Sequence, residues 1–299
     1  MNYIAAIDIG SNAIRLAIAR IRDGESYITY RSREPVRLGS SVFSHGRIDK
    51  NTYEDLKQAI IQFKNQMENH NVQKYRATAT SAMREAENGE EVAESLFQET
   101  GVKIELISGE EEAQLVSKAI AQKIDISKGQ YLFIDIGGGS IELVATSDGN
   151  ILKKKSFVLG MVRVLELQKK NKKDLIKWFP KMINEEMSPF FEDLPSLTAA
   201  VGTGGNMDRF IKLKNFVSND PGDYLTLNEM EELHEQLSSH SYDERIVKYE
   251  LKPDRADVII PASIATLKIM ALGKSEKIFF PQVGLKDGVL QELSSGLVN

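Results

Sequence analysis

The chain has 299 residues, 41% hydrophobic and 27% charged, as expected of a globular protein of about two domains. Its 38 basic and 43 acidic residues leave a net charge of −5, which argues against general nucleic-acid binding. It has no cysteine, hence no disulfide framework, thiolate metal site or cysteine nucleophile, and no apolar run approaches the ~18 residues of a membrane span.

Taken in chain order, alternation of apolar and polar residues predicts strands over about 3–9, 13–22 and 26–35. The first begins within three residues of the N-terminus and leaves no room for a signal peptide, so a cytoplasmic location is expected. A helix follows from Asn51 or Thr52 to about Asn69, with Leu56, Ile60, Phe63 and Met67 as its apolar stripe. A short strand over 75–79 runs into Thr80, Ser81 and Arg84. Glu90–Thr100 reads as a helix ended by Gly101, Lys103–Ile107 as a strand, and Ser108 opens a helix to about Gln122.

The second half repeats this order. Strands are expected at 131–136, 141–147 and 150–158, and helices at about 162–169 and 174–187. A strand at 197–201 then meets Gly202-Thr-Gly-Gly205. Thr226-Leu-Asn-Glu229 is a capping box that starts a helix to about Leu237. Residues 257–272 read as helix, 278–280 as strand and 285–295 as a last helix suited to packing back on the first half. The expected division is 1–124 and 125–284, with 285–299 returning to the first domain.

The chemistry centres on one pattern that occurs twice. Tyr131–Ile134 is an apolar strand ending in Asp135, three glycines (Gly137, Gly138, Gly139) and Ser140, after which a second strand carries Glu142. Ile4–Ile7 likewise leads to Asp8, Gly10, Ser11 and Asn12 before an outgoing strand. Glycines let a ligand lie on backbone N–H groups, and a carboxylate beside a phosphate makes sense if a divalent cation or attacking water joins them. Two copies imply a duplicated α/β architecture with a cleft between the halves.

Other motifs fail. Gly273-Lys274-Ser275 lacks the Walker glycine, and Glu142 and Met207 break the two dinucleotide-like glycine patterns. The four histidines have no zinc spacing. Glu110 and Glu111 read as an acidic first helical turn favoured by the helix dipole. Glu112 leads the stripe of Leu115, Val116 and Ala119, so it could face inward and act as a base. Glu142 is either an exposed strand residue or a partner of Asp135. Arg84 is either a surface arginine or a ligand at a strand end. The three glycines of Gly202–Gly205 before a helix exceed what a tight turn needs and suit anion binding.

Together these pieces resemble the exopolyphosphatase/guanosine pentaphosphate phosphohydrolase family. The matching stretches are IDIGSNAIRL (7–16), ATATSAMREAEN (77–88), LISGEEEA (106–113), FIDIGGGSIELV (133–144), LGMVRVLE (159–166), VGTGGN (201–206), RADVIIPA (255–262) and VGLKDGVL (283–290). The resemblance implies two duplicated ribonuclease-H-like domains, the fold of actin, sugar kinases and heat-shock chaperone ATPases. It implies that Glu112 is the catalytic base, with Arg84 a phosphate ligand. Asp135 and Glu142, with Asp8, become the acidic residues associated with Mg²⁺ (or Mn²⁺). Gly10, Ser11, Asn12 and Arg15, then Gly137–Ser140, then Gly202, Thr203, Gly204 and Gly205 become the phosphate-binding segments.

The implied reaction is hydrolysis of a terminal phosphoanhydride of polyphosphate or guanosine pentaphosphate. A guanosine tetra- or pentaphosphate sensor and an acceptor-specific kinase of the same superfold are the alternatives. No nucleic-acid or membrane partner is expected, and a homodimer is left open. Lys286-Asp287 stands where Arg-Glu is usual in the family. Longer members continue into a helical region, so distributive action is expected here, with short polyphosphates or a nucleotide pentaphosphate used at least as well as long chains. Lys153–Lys155 and Lys169, Lys170, Lys172 and Lys173 read either as solvated lysines or as guides for a polyanion.

Overall fold

The computed structural model describes residues 2–22, 25–172 and 174–296. Its chain forms two compact units, Met1–Ala119 with Gly284–Asn299, and Ile120–Val283. The division falls inside a helix, a few residues before the expected boundary at 124.

The first unit opens with strands Tyr3–Ile9 (β1), Ile14–Arg22 (β2) and Glu25–Glu34 (β3). Helices Leu38–His45 (α1) and Lys50–Asn69 (α2) precede strand Val72–Ala79 (β4). Helices Ser81–Glu85 (α3) and Gly89–Thr100 (α4), strand Ile104–Leu106 (β5) and helix Gly109–Ala121 (α5) follow. The sheet order is β3-β2-β1-β4-β5, with β1 antiparallel to β2 and parallel to β4. Central β1 is buried along nearly its whole length, which is why it reads as a continuous apolar run. On α2, Asp49 accepts from the Thr52 N–H at 2.9 Å, and Leu56, Ile60, Phe63 and Met67 are buried as their spacing predicts.

The last helix, Leu285–Ser295 (α13), groups with this unit. A methyl on its Gly288 would sit 2.1 Å from the Leu115 carbonyl oxygen, so only glycine permits this approach to α5. Arg76 on β4 ties the parts together through Glu105 at 2.9 Å, Glu111 at 2.6 Å and Glu292 at 2.9 Å. Glu111 is therefore a partner of Arg76. The expected extension of this last segment to 299 falls partly on residues 297–299, which lie outside the described residues.

The second unit repeats the plan. Strands Gln130–Ile136 (β6), Ile141–Ser147 (β7) and Asn150–Phe157 (β8) lead to helices Met161–Asn171 (α6) and Leu175–Phe191 (α7). Then come strand Ala199–Thr203 (β9), helix Met207–Lys212 (α8), strand Tyr224–Thr226 (β10) and helices Leu227–Ser238 (α9), Tyr242–Lys248 (α10), Pro253–Ala256 (α11) and Ile259–Leu272 (α12). Strand Lys277–Phe279 (β11) completes the sheet, ordered β10-β11-β9-β6-β7-β8. Apart from the added edge strand β10, this is the order of the first sheet, and both are ribonuclease-H-like.

Several elements depart from the sequence reading. Helix α7 runs through Pro180 and Pro189, held by its buried face of Leu175, Phe179, Ile183, Met187 and Phe190. Helices α1 and α10 are short and lack a strong apolar stripe, although Ser241 and Glu244 form a capping box at α10 that the sequence displays. Strand β9 continues two residues beyond its expected end, so Gly202 and Thr203 belong to the sheet.

One packing contact carries a pH dependence. His234 on α9 has Nδ1 2.7 Å from Ser263 Oγ on α12, and Ser263 Oγ donates to the Ile260 carbonyl at 2.8 Å. The hydroxyl thus accepts from a neutral ring, and burial holds the His234 pKa below its usual 6.5. The unfolded chain takes up the proton more readily than the folded one. Stability from this site is full above about pH 6.5 and is lost as pH falls toward the lower folded pKa. Between pH 7.5 and 5.5 the thermal midpoint of the wild type should drop more than that of His234→Gln; equal drops would rule out this contribution.

Candidate functional site

Both units build the same turn at the end of their central strand. The Gly10 N–H donates to the Ala13 carbonyl at 3.2 Å, and the Gly137 N–H to the Ser140 carbonyl at 3.0 Å. In each, an added methyl on the glycine would lie 3.1 Å from that same carbonyl oxygen. Strand register then places a polar row across each sheet. In the first unit Thr78, Asp8, Arg15 and Arg33 are mutually opposite on neighbouring strands. In the second the row is Thr203, Asp135, Glu142 and Ser156.

Residues opposite one another share a face, so the two rows differ in charge at equivalent points. Arg15 Nη1 lies 2.8 Å from Asp8 Oδ2, which gives that carboxylate a cation inside its own hairpin. In the second hairpin the position of Arg15 is taken by Glu142, opposite Asp135. Glu142 is only 3% exposed and accepts from Ser156 Oγ at 2.8 Å. Like charges directly opposite on a sheet repel, and a cation relieves them. Asp8 thus has Arg15 as a salt-bridge partner. Among the described residues no group of three or more histidine, aspartate or glutamate side chains is arranged to hold a metal. An ion at the second hairpin would take two protein carboxylates and oxygens from elsewhere.

The glycine loop of the second unit is held from behind. The Met161 N–H donates to the Gly137 carbonyl at 3.0 Å, and the Val162 and Arg163 N–H groups to that of Gly138 at 2.8 and 3.1 Å. The Gly139 carbonyl accepts from the Gly160 N–H at 3.1 Å and from Arg163 Nε at 2.9 Å. The peptides of the described residues are all trans, so each clamped carbonyl turns the N–H of the next residue the opposite way. The N–H groups of Gly138, Gly139 and Ser140 therefore point away from α6, and among the described residues none donates to a backbone carbonyl. Such a nest binds anions.

A methyl at Gly160 would lie 2.2 Å from Gly139 C and 2.3 Å from Ser140 N. Gly160→Ala should force loop and helix apart, cost about 1–3 kcal/mol of stability by overpacking, and weaken anion binding. A thermal midpoint within a degree of the wild type would show that the contact is loose.

The third glycine segment is shorter than expected. Gly202 and Thr203 pair with Ile134 and Asp135 inside the sheet, because Gly202 must admit Met207, whose Sδ would be 2.9 Å from an added methyl. Gly204, at φ +92°, begins the true turn and abuts Asp135, whose Oδ1 would be 2.6 Å from a methyl there. Asn206 precedes α8 and accepts from Arg255 Nη1 at 3.2 Å, both side chains being buried.

In the first unit Arg84 is half-buried, and its Nη1 donates to the Ile107 carbonyl at 2.7 Å, fixing the turn into α5. Ser108 Oγ accepts from the Glu111 N–H at 3.1 Å, and its carbonyl from the Glu112 N–H at 3.0 Å. Glu112 is half-buried at the start of a helix locked by Ala113, Leu115, Val116 and Ala119. The lysines divide by strand face. Lys153 donates to the Pro189 carbonyl at 3.0 Å and Lys155 lies 4.7 Å from the Phe157 ring centre, so both serve local packing. Lys169 pairs with Glu166 at 2.9 Å, and Lys173 lies outside the described residues. No helix among the described residues is long and apolar enough to cross a membrane.

Ser156, Arg163 and Arg255 were missed as contributors. Arg163 and Arg255 sit in the LGMVRVLE and RADVIIPA stretches, but only the fold brings them to the glycine loop and to Asn206.

Residues 17–295 match the profile of the Ppx/GppA phosphatase family. The chain is 28% identical over 290 residues to the bifunctional 3-dehydroquinate synthase/phosphatase of Fusobacterium nucleatum, covering 89% of this chain and 43% of that one. It is 32% identical over 162 residues to exopolyphosphatase 1 of Mycobacterium tuberculosis, covering 54% and 47%. With the guanosine-5'-triphosphate,3'-diphosphate pyrophosphatase of Vibrio vulnificus it shares 25% identity over 98% of this chain and 59% of that one. The chain thus spans roughly half the length of these curated relatives. Among solved structures, the Aquifex aeolicus Ppx/GppA family member superposes with TM-score 0.81 at 26% identity, covering 100% of this chain and 99% of that one. The Cytophaga hutchinsonii exopolyphosphatase gives TM-score 0.90 at 23% identity over 99% and 98%, a likeness of fold alone. The chain belongs to the Ppx/GppA phosphatase family.

Proposed function

We propose that the protein hydrolyses the terminal phosphoanhydride bond of inorganic polyphosphate, of guanosine pentaphosphate, or of both, releasing orthophosphate. The observation that carries this reading is the clamped Gly137–Gly139 loop. It turns three N–H groups to one side, at the end of a hairpin whose carboxylates, Asp135 and Glu142, oppose each other. Phosphate oxygens suit the nest, and a divalent cation arriving with the phosphate suits the carboxylates. Relatives named exopolyphosphatase and guanosine-5'-triphosphate,3'-diphosphate pyrophosphatase support the substrate class.

Asp135 and Glu142 fit Mg²⁺ or Mn²⁺, hard ions that take one or two protein carboxylates with phosphate and water oxygens. When bound, the ion would neutralise charge on the phosphoryl oxygens. The rest falls to the chain itself. The N–H groups of Gly138, Gly139 and Ser140 bind phosphoryl oxygens, as do the turns at Gly10–Asn12 and Gly204–Gly205. Arg15 and Arg84 supply positive charge. Glu112 acts as general base: it takes a proton from water as the water oxygen bonds to the terminal phosphorus and the bridging oxygen leaves with the shortened chain. Positioning and electrostatics supply most of the rate in such a transfer. A cytoplasmic location belongs to the same reading.

Orthophosphate release from polyphosphate and from guanosine pentaphosphate, assayed side by side with and without Mg²⁺, tests it. Release from at least one, abolished by chelation, is expected. Tight binding of guanosine pentaphosphate without any release would favour a sensor instead.

A further inference from the structure

We propose that Arg163 is a positioning residue that sets the direction of the phosphate-binding amides. The inference rests on the phosphate-chain reading and deepens it. Arg163 grips the glycine loop with both main chain and side chain. Its N–H donates to the Gly138 carbonyl at 3.1 Å, and its Nε to the Gly139 carbonyl at 2.9 Å. Each trans peptide carries its N–H opposite its carbonyl, so these two bonds aim the N–H groups of Gly139 and Ser140. Glycines impose no preferred backbone conformation of their own, so something outside the loop must choose one.

The first unit provides the contrast. There the equivalent carbonyls, of Ser11 and Asn12, accept from the main-chain N–H groups of Gly39 at 2.8 Å and Arg37 at 3.2 Å. That loop contains Ser11 and Asn12, which are stiffer than glycine and buried. The second loop has three glycines in a row, and it has a guanidinium as an additional clamp. A charge-assisted bond to Gly139 also polarises that peptide, which makes the Ser140 N–H a stronger donor toward an anion. Arg163 thus acts through the loop, without being required to touch the substrate.

The test compares Arg163→Lys and Arg163→Met with the wild type, using inorganic tripolyphosphate as the probe. Lysine keeps the charge but not the Nε–H at that reach. Both variants should raise KM for phosphate release by about tenfold, the scale of a lost charge-assisted bond, with kcat little changed. The amide resonance of Ser140 should shift in both. Lys181→Met, the same charge change at an exposed site on α7, should leave KM unchanged. A purely structural role would lower kcat through a smaller folded fraction and leave KM alone, which would overturn the proposal. So would an unchanged KM with an unchanged Ser140 resonance. A wild type that neither binds nor cleaves tripolyphosphate would instead remove the functional reading, and the inference with it.

Discussion

Glu112→Gln should lower turnover by about two or more orders of magnitude, the scale of a lost general base, while KM stays near the wild-type value. Glutamine matches glutamate in shape but cannot take a proton from water. The helix that carries Glu112 cannot turn to bring a neighbouring carboxylate into its place. Helix α5 is fixed in rotation by buried Ala113, Leu115, Val116 and Ala119, and its first turn is tied to Ser108. Arg84 pins the preceding Ile107 carbonyl at 2.7 Å, and α13 closes on the helix at Gly288. Glu111, one residue earlier, is committed to Arg76 and gives no substitute carboxylate. A variant keeping more than about a third of wild-type turnover would remove Glu112 from the chemistry.

Asp135→Asn and Glu142→Gln should each raise the Mg²⁺ concentration needed for half-maximal activity by about tenfold or more, since each deletes a hard oxygen ligand or its water anchor. A second readout is independent of catalysis. With Mg²⁺ chelated, either substitution removes one of two carboxylates that stand opposite each other, so it should leave the thermal midpoint level with the wild type or above it. At the same Mg²⁺ concentration the midpoint should rise more for the wild type than for the variants, because stabilisation by a bound ion grows with its concentration relative to Kd. Identical magnesium titrations in all three proteins would make the pair structural.

Much of this was legible in the residues, and the limits have physical causes. Tyr131–Ala145 and Ile4–Ile21 display their hairpins because a strand buried on both faces needs an unbroken apolar run, and the turn needs glycine. The glycine, acid and arginine of these turns mark the same segments the structure brings to the strand ends. The charge difference between the rows was not legible. It depends on which residue stands opposite Asp8 and Asp135, and register is a property of paired strands. Arg15 and Glu142 could be named as site residues, but not as opposites. The same limit hid Ser156, 14 positions from its partner Glu142. The end of β9 was misread because Gly202-Thr203 looks like loop, whereas Gly202 serves the sheet by making room for Met207. The carbonyl clamp of α6 on Gly137–Gly139 needs both elements in place. Its sequence sign was Gly160, a glycine at a helix start that a helix alone does not require.

The most direct measurement is isotopic. Polyphosphate or guanosine pentaphosphate is incubated with the protein and Mg²⁺ in ¹⁸O-water, and the released orthophosphate is analysed by mass spectrometry. Attack of water on the terminal phosphorus, with Glu112 as base, requires one solvent oxygen in each orthophosphate released and none in the shortened chain. Orthophosphate without solvent oxygen, or solvent oxygen carried by the shortened chain, would place the bond cleavage elsewhere and refute the mechanism.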